Sequence, residues 1–237
     1  MIYSAILAGG SGTRLNISSM PKQFLPIADK PIIIHTLEKM LLCNRFDAIF
    51  VGVHGSYLSH MSDLLKKYNI DKKIVHIVNG GESRNDTIFN IIDKIDCTFT
   101  INDDDIIVTH DAVRPFVTLR ILNDNINTAL KYNACDTVIN ATDTIVCSTD
   151  DDIISEIPNR QHMYQGQTPQ SFNIKMLKEL YNSLTDKEKE ILTDACKICV
   201  LKGQDVKLVK GEVSNIKITT VTDYKIAQVL AGGIAID

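Results

Sequence analysis

"IYSAILAGGSGTRL", residues 2–15, decides the fold. Its first half, Ile2 to Leu7, is an apolar run that reads as a strand, and it breaks at once into Gly9, Gly10 and Gly12. A strand that ends in glycines frees backbone amides and lets an anion approach them closely, which makes a cradle for phosphate oxygens. Two familiar versions of that loop are ruled out. The dinucleotide fingerprint opened by Gly10-Ser11-Gly12 needs a glycine at position 15, where Leu15 stands, and a Walker A loop needs a Gly-Lys pair that the chain lacks. What distinguishes the loop is a pair of long cations, Arg14 at its exit and Lys22 in "MPKQFLP" (20–26). Set beside a glycine turn, two such groups suit a polyphosphate whose charge shifts as a bond breaks.

Outward from this stretch, apolar β-branched runs alternate with helical patterns, the order of βαβ units around a parallel sheet. Strands are expected at 46–53, 73–78 and 105–111, with helices from Pro31 to Asn44, over 57–68, over 85–95 and from Leu119 to Tyr132. A strand "DTVINA" follows, and the alternation then stops. Residues 142–160 carry two short β-branched segments around Ser148 to Asp152, the pattern of a hairpin. An isolated hairpin is marginal in water, so this arm, about 141–161, calls for a second subunit to cover it. After "YQGQTPQSF" come a helix pair over 174–202, a strand "VKLVKG", a strand-like "NIKITT" and a last helix over 222–230. The expected architecture is a single α/β domain over 1–237, doubly wound and mostly parallel, with a protruding β-arm.

Composition sets bounds on function. The 237 residues are 44% hydrophobic and 23% charged, with a formal net charge of −4. That balance gives no global field to gather nucleic acid or an anionic membrane, so an anionic ligand must be held by local cations. Met1 to Leu7 is too short for a signal peptide, and no uncharged run approaches the ~18 residues of a spanning helix, so the chain reads as cytoplasmic. Six cysteines are scattered through it, and Cys196-x-x-Cys199 reads as an apolar helix face before Gly203, because no second pair completes a zinc site.

Three loops carry the candidate chemistry. Besides the first, "GGESRNDT" (80–87) joins a strand to a helix, with the hydroxyls of Ser83 and Thr87 expected at the same sheet edge. "THDAVRP" brings His110, Asp111 and Arg114 to that edge, where open α/β sheets bind ligands. Asp111 is a hard oxygen ligand suited to Mg²⁺, while His110 reads as a packed strand residue. The acidic runs 103–105 and 150–152 read as solvated turns.

"LAGGSGTR", "MPKQF", "GGESRNDT", "HDAVRPF", "RQHMYQGQTPQ" and "NIKIT", in this order and spacing, resemble the cytidylyltransferases that make CDP-linked polyols. The resemblance covers essentially the whole chain. It is closer to the ribitol-5-phosphate branch of the teichoic-acid pathway than to the methylerythritol-phosphate branch of isoprenoid synthesis. It implies a Rossmann-like nucleotidyltransferase fold, a homodimer through the arm, and transfer of CMP from CTP to a polyol phosphate with Mg²⁺. It implies CTP contacts at Leu7, Ala8, Gly9 and Gly10 and at Gly81, Glu82, Ser83, Arg84, Asn85, Asp86 and Thr87. It further implies transition-state stabilisation by Arg14 and Lys22, a metal at Asp111, and placement of the polyol phosphate by Arg160 and Lys217. The methylerythritol-phosphate reaction and a non-catalytic CTP sensor remain alternatives at this point.

Overall fold

The computed structural model describes residues 1–10 and 20–232. Its centre is a seven-stranded sheet in the order β5-β4-β1-β6-β8-β7-β9. These strands are β1 Ile2–Ala8, β4 Ala48–Val53, β5 Val75–Asn79, β6 Ile106–Asp111, β7 Ala134–Asn140, β8 Tyr164–Asn173 and β9 Lys207–Lys210. Two more, β2 Pro26–Ile27 and β3 Lys30–Pro31, form a small separate hairpin. β1 pairs in parallel with β4 and β6, and β7 with β9, while β8 runs antiparallel to both its neighbours. The mostly parallel α/β sheet is therefore as expected.

Strand alternation sorts the core into two layers. From β1, Ile6 and Ala8 face a layer with helices α1 (Ile32–Leu42), α2 (Leu58–Lys67) and α4 (Leu119–Tyr132). Tyr3 and Ala5 face the other layer, with α3 (Arg84–Phe99), α5 (Ile174–Asn182) and α7 (Ala195–Leu201). α6 (Asp186–Glu190) is a short exposed link, and α8 (Val221–Gly232) packs Ala227 with Ile27, Ile32 and Ile218 in a third cluster. Burying each of the isoleucines among these contributes about 1.5–3 kcal/mol. Helices on both faces leave the strand ends as the place for a ligand. Among the described residues no helix is long and apolar enough to cross a membrane.

Three sequence expectations are corrected. "YQGQTPQSF", given no element, is the interior strand β8, whose polar residues are bonded to the next strand and to helix α4. Thr109 Oγ1 donates to Gln170 O at 3.0 Å and Ser171 Oγ to Asn125 Oδ1 at 3.2 Å. "NIKITT" is not a strand; Ile218 N donates to Val113 O at 3.0 Å, and the segment lies as a loop on the sheet edge. Asp105 is not solvated, being 1% exposed and paired with the ammonium group of Met1. In the arm the two β-branched segments meet at a single bridge, Cys147 to Glu156, around a turn in which Asp150 Oδ1 accepts from the amides of Asp152 and Ile153.

Cys196 and Cys199 face the core from α7, which stops before Gly203 at φ 72°, as an apolar helix face should. Burial pushes the Cys199 thiol up to about 12, so the thiolate that metal or redox chemistry needs is disfavoured.

Candidate active site

Register decides which loops meet. Leu7 is paired with Gly52 on one side and Asp111 on the other, so the β1 glycine turn opens directly beside the end of β6. The strand order also reverses here: from β1 the chain runs outward to β4 and β5, and then crosses back to β6 on the other side of β1. A cavity of about 320 Å³ lies there. It is lined by Leu7, Ala8, Gly9 and Gly10 of the first turn, Gly81, Glu82, Ser83, Arg84 and Thr87 of the second, and Lys22, Asp111 and Lys217. Sequence reasoning named these, and the fold brings them to one place; Gln23, Ala112 and Val113, which also line the cavity, it did not name.

The two turns touch, and this is why they are glycine-rich. A Cβ on Gly80 would lie 3.3 Å from Gly9 Cα, and one on Gly9 would lie 3.0 Å from Thr87 Oγ1. A Cβ on Gly81 would fall 2.2 Å from Asp86 Cβ, whereas Gly10 faces open space. The second turn is held by its own helix. Ser83 Oγ accepts from Asp86 N at 3.1 Å and Asp86 Oδ2 accepts from Ser83 N at 2.9 Å, a capping box. Thr87 Oγ1 accepts from Gly81 N and donates to Ser83 O, both at 3.0 Å. The hydroxyls of Ser83 and Thr87 thus build the turn, leaving the positive N-terminal end of a 16-residue helix aimed at the cavity. Asp86 belongs to the cap and Asn85 is buried behind it, so neither lines the cavity.

Lys22 enters from a 3-10 turn, Lys22–Phe24, anchored by Phe24, whose ring meets those of His60 at 4.8 Å and Tyr57 at 5.3 Å. Gln23, to which the sequence reading gave no role, ties this turn to the glycine loop. Its Nε2 donates to Ala8 O at 2.8 Å and Gly10 O at 3.1 Å. Its signal was a glutamine fixed between Lys22 and Phe24 in a proline-bounded segment.

Asp111 is 6% exposed and ringed by cations. Lys217 Nζ is 2.9 Å from Oδ2, Arg114 Nε 3.5 Å from Oδ2, and Arg84 Nε 3.5 Å from Oδ1. Burial pushes its carboxyl up, but the charges of Arg84, Lys217 and Arg114 outweigh that and hold it well below the usual carboxylate range. Three positive groups against one negative leave a local excess suited to phosphates. Lys217 is delivered by the edge loop, which Asn215 fastens through Nδ2 to Thr168 O at 2.9 Å and through its carbonyl to Arg114 Nη1 at 2.7 Å.

Among the described residues no group of three or more His, Cys, Asp or Glu side chains is placed to hold a metal. A cation bound through one carboxylate and a nucleotide's phosphates does fit. Among the described residues Asp111 Oδ1 has only the long contact to Arg84, which leaves acceptor capacity, and Mg²⁺ favours such a mixed set.

Arg14 lies outside the described residues. Arg160 sits on a turn, Arg160–His162, at the foot of the arm, where its Nη1 donates to Thr142 O at 2.8 Å; it does not line this cavity. His110 is buried as expected, and burial pushes its ring down to about 4, so it is neutral.

The family model IspD, 2-C-methyl-D-erythritol 4-phosphate cytidylyltransferase, matches residues 2–232. A ribitol-5-phosphate cytidylyltransferase of Streptococcus pneumoniae serotype 2 is 57% identical over 229 residues, covering 96% of this chain and 97% of that one. Among solved structures, 4-diphosphocytidyl-2C-methyl-D-erythritol synthase of Anaerococcus prevotii is similar with a TM-score of 0.80 at 26% identity, covering 98% of this chain and 96% of that one. The 2-C-methyl-D-erythritol 4-phosphate cytidylyltransferase of Francisella tularensis gives 0.79 at 26% identity, covering 95% and 97%. A match over nearly the whole chain, on this sheet and with this meeting of two glycine turns, makes the protein a member of the IspD family of cytidylyltransferases.

Proposed function

We propose that the chain is a ribitol-5-phosphate cytidylyltransferase, which transfers CMP from CTP to D-ribitol 5-phosphate and releases pyrophosphate. The observation that carries this reading is Asp111 within its ring of Arg84, Arg114 and Lys217, beside a glycine cradle at the sheet's switch point. The relative at 57% identity supports the choice of acceptor.

A phosphate oxygen of the acceptor attacks the α-phosphorus of CTP in line, and the bond from that phosphorus to the β-phosphate bridging oxygen breaks. A phosphate monoester is largely a dianion at neutral pH and needs no general base. The protein's work is to hold two mutually repelling anions together and to absorb charge on the leaving group. Gly9, Gly10 and the N-terminal end of α3 hold the nucleotide phosphates. Lys22, with Arg14, neutralises the departing pyrophosphate, and Lys217 with Arg160 of the arm places the acceptor phosphate. Mg²⁺, held by Asp111 and the phosphates, supplies further charge neutralisation when bound.

The exposed aliphatic residues of the arm, Ile153 at 66% and Ile157 at 61%, support a homodimer that covers them, which sedimentation of the protein against its Ile153→Ser/Ile157→Ser variant tests. The product serves teichoic-acid synthesis in this reading.

A second reading, the same transfer to 2-C-methyl-D-erythritol 4-phosphate, is favoured by the family model. Pyrophosphate release, measured with each of the four ribonucleoside triphosphates against both polyol phosphates, separates the two. Release with CTP and ribitol 5-phosphate is expected; release only with another triphosphate, or only with the methylerythritol acceptor, would sink the first reading.

A further inference from the structure

His110 is fully buried at the penultimate position of β6, yet neither of its ring nitrogens is idle. Nε2 lies 3.0 Å from the carbonyl oxygen of Arg114, and Nδ1 lies 3.0 Å from Thr168 Oγ1. The same hydroxyl oxygen accepts from the backbone N–H of Asp111 at 3.1 Å. Donor and acceptor rules place one proton outright and order the rest once the tautomer is set. A carbonyl only accepts, so Nε2 carries a hydrogen. In the Nε2–H tautomer Nδ1 presents a lone pair, and the Thr168 hydroxyl, which accepts from Asp111 N–H, donates its own proton there. The chain of bonds therefore runs from Asp111 N–H to Thr168, from Thr168 O–H to His110 Nδ1, and from His110 Nε2–H to Arg114 O.

Both ends of that chain lie on one turn. Arg114 N donates back to Asp111 O at 3.1 Å, so Asp111-Ala112-Val113-Arg114 is a tight turn whose first amide and last carbonyl are strapped by one imidazole. The side chains at its two ends are the carboxylate and one of the cations of the anion-holding ring. A ring present only to fill space would need no polar partners, and an apolar one of equal size would leave Thr168 O–H and Arg114 O without the bonds they make now.

We propose that His110, with its hydrogen on Nε2, is a positioning residue. Acting through Thr168 and through the Arg114 carbonyl, it fixes the turn that aims Asp111 and Arg114. The group never touches substrate. Its effect is to hold the charged ring within the small tolerance that in-line transfer allows, where misplacement of about 1 Å costs on the order of 10²-fold in rate.

The kinetic arm of the test rests on the cytidylyl-transfer reading; the spectroscopic arm does not. Nitrogen NMR of the whole protein labelled with ¹⁵N-histidine is expected to show one ring in the Nε2–H form, assigned to His110 by its loss in His110→Gln. An Nδ1–H tautomer overturns the proposal. In steady-state kinetics, His110→Phe removes both bonds and keeps a ring, so kcat falls by roughly 10–10²-fold while KM for CTP moves by less than about threefold. His110→Gln, whose Nε2 can still reach the Arg114 carbonyl, regains part of that loss. Equal impairment of both variants with kcat and KM moving together, or a Phe variant with near-normal kcat, refutes the role. If His110→Phe does not fold, Thr168→Val against Thr168→Ser asks the same question, with the serine variant expected to retain kcat and no difference between the two refuting it. Wild-type protein that releases no pyrophosphate would refute the transferase reading while the tautomer is still decided by the spectrum.

Discussion

Asp111→Asn removes one negative charge and keeps the shape of the side chain, so it isolates what that charge does among three cations. In the wild-type protein Lys217 is 2.9 Å away and the two arginine contacts are 3.5 Å. Removing one member of a buried ion pair costs about 3–5 kcal/mol, because the partner charge is left uncompensated. The lower end applies here. The Lys217 side chain is 41% exposed and can turn to solvent, where screening leaves its share small. Arg114, 9% exposed at its side chain and pinned through Nη1 to Asn215, has no such escape. A loss of about 3 kcal/mol in a domain of this size lowers Tm by roughly 6–12 °C.

The pH dependence has a definite sign. The folded pKa of Asp111 is lowered, so its contribution is fully present above the unfolded value of about 3.9 and is lost as pH falls toward the folded value. Thermal unfolding of both proteins across pH should therefore show a constant gap near neutrality that narrows below about pH 4. A variant as stable as the wild type at neutral pH, or a gap that widens on acidification, would show that the cation ring does not depend on this carboxylate.

Gly81→Ala places a Cβ 2.8 Å from the Asp86 backbone carbon, which a rotamer change cannot relieve, so the turn and the start of α3 must part. The expected cost is about 1–3 kcal/mol in unfolding free energy together with a higher KM for CTP, and a variant unchanged in both would contradict the close approach described above. Of the six cysteines, Cys97 and Cys147 are exposed and the other four are buried. A thiol reagent should accordingly label two sites quickly in the native protein and the rest only on unfolding, whereas rapid native labelling of Cys196 or Cys199 would revive a redox role for that pair.

What the sequence made legible follows from where the physical signal was local. β1, β4 and β6 are apolar runs ending in glycine or polar turns, and their register then had to bring Gly9, Gly81 and Asp111 to one edge. β8 was hidden because its strand character is not in its composition. Gln170 and Ser171 are buried at the sheet's centre only because Asp194 and Asn125, distant in the chain, bond to them. Asp105 misled for the same reason, since its partner is the chain's own first residue. "NIKITT" has strand-like alternation but is taken by the sheet edge as a loop, because Arg114 and Thr168 hold its Asn215. The ring around Asp111 was half legible. Loop position placed Arg84 and Arg114 at one edge and the family resemblance supplied Lys217, but only the fold shows all three on one carboxylate.

The central claim is the acceptor. Initial rates of pyrophosphate release at saturating CTP, with D-ribitol 5-phosphate and 2-C-methyl-D-erythritol 4-phosphate measured side by side, test it most directly. The account predicts a kcat/KM for the ribitol phosphate at least ~10-fold higher, the low end of what a difference in pocket contacts supplies. A preference for the methylerythritol phosphate would contradict it, and so would the absence of release with either acceptor in protein that still binds CTP.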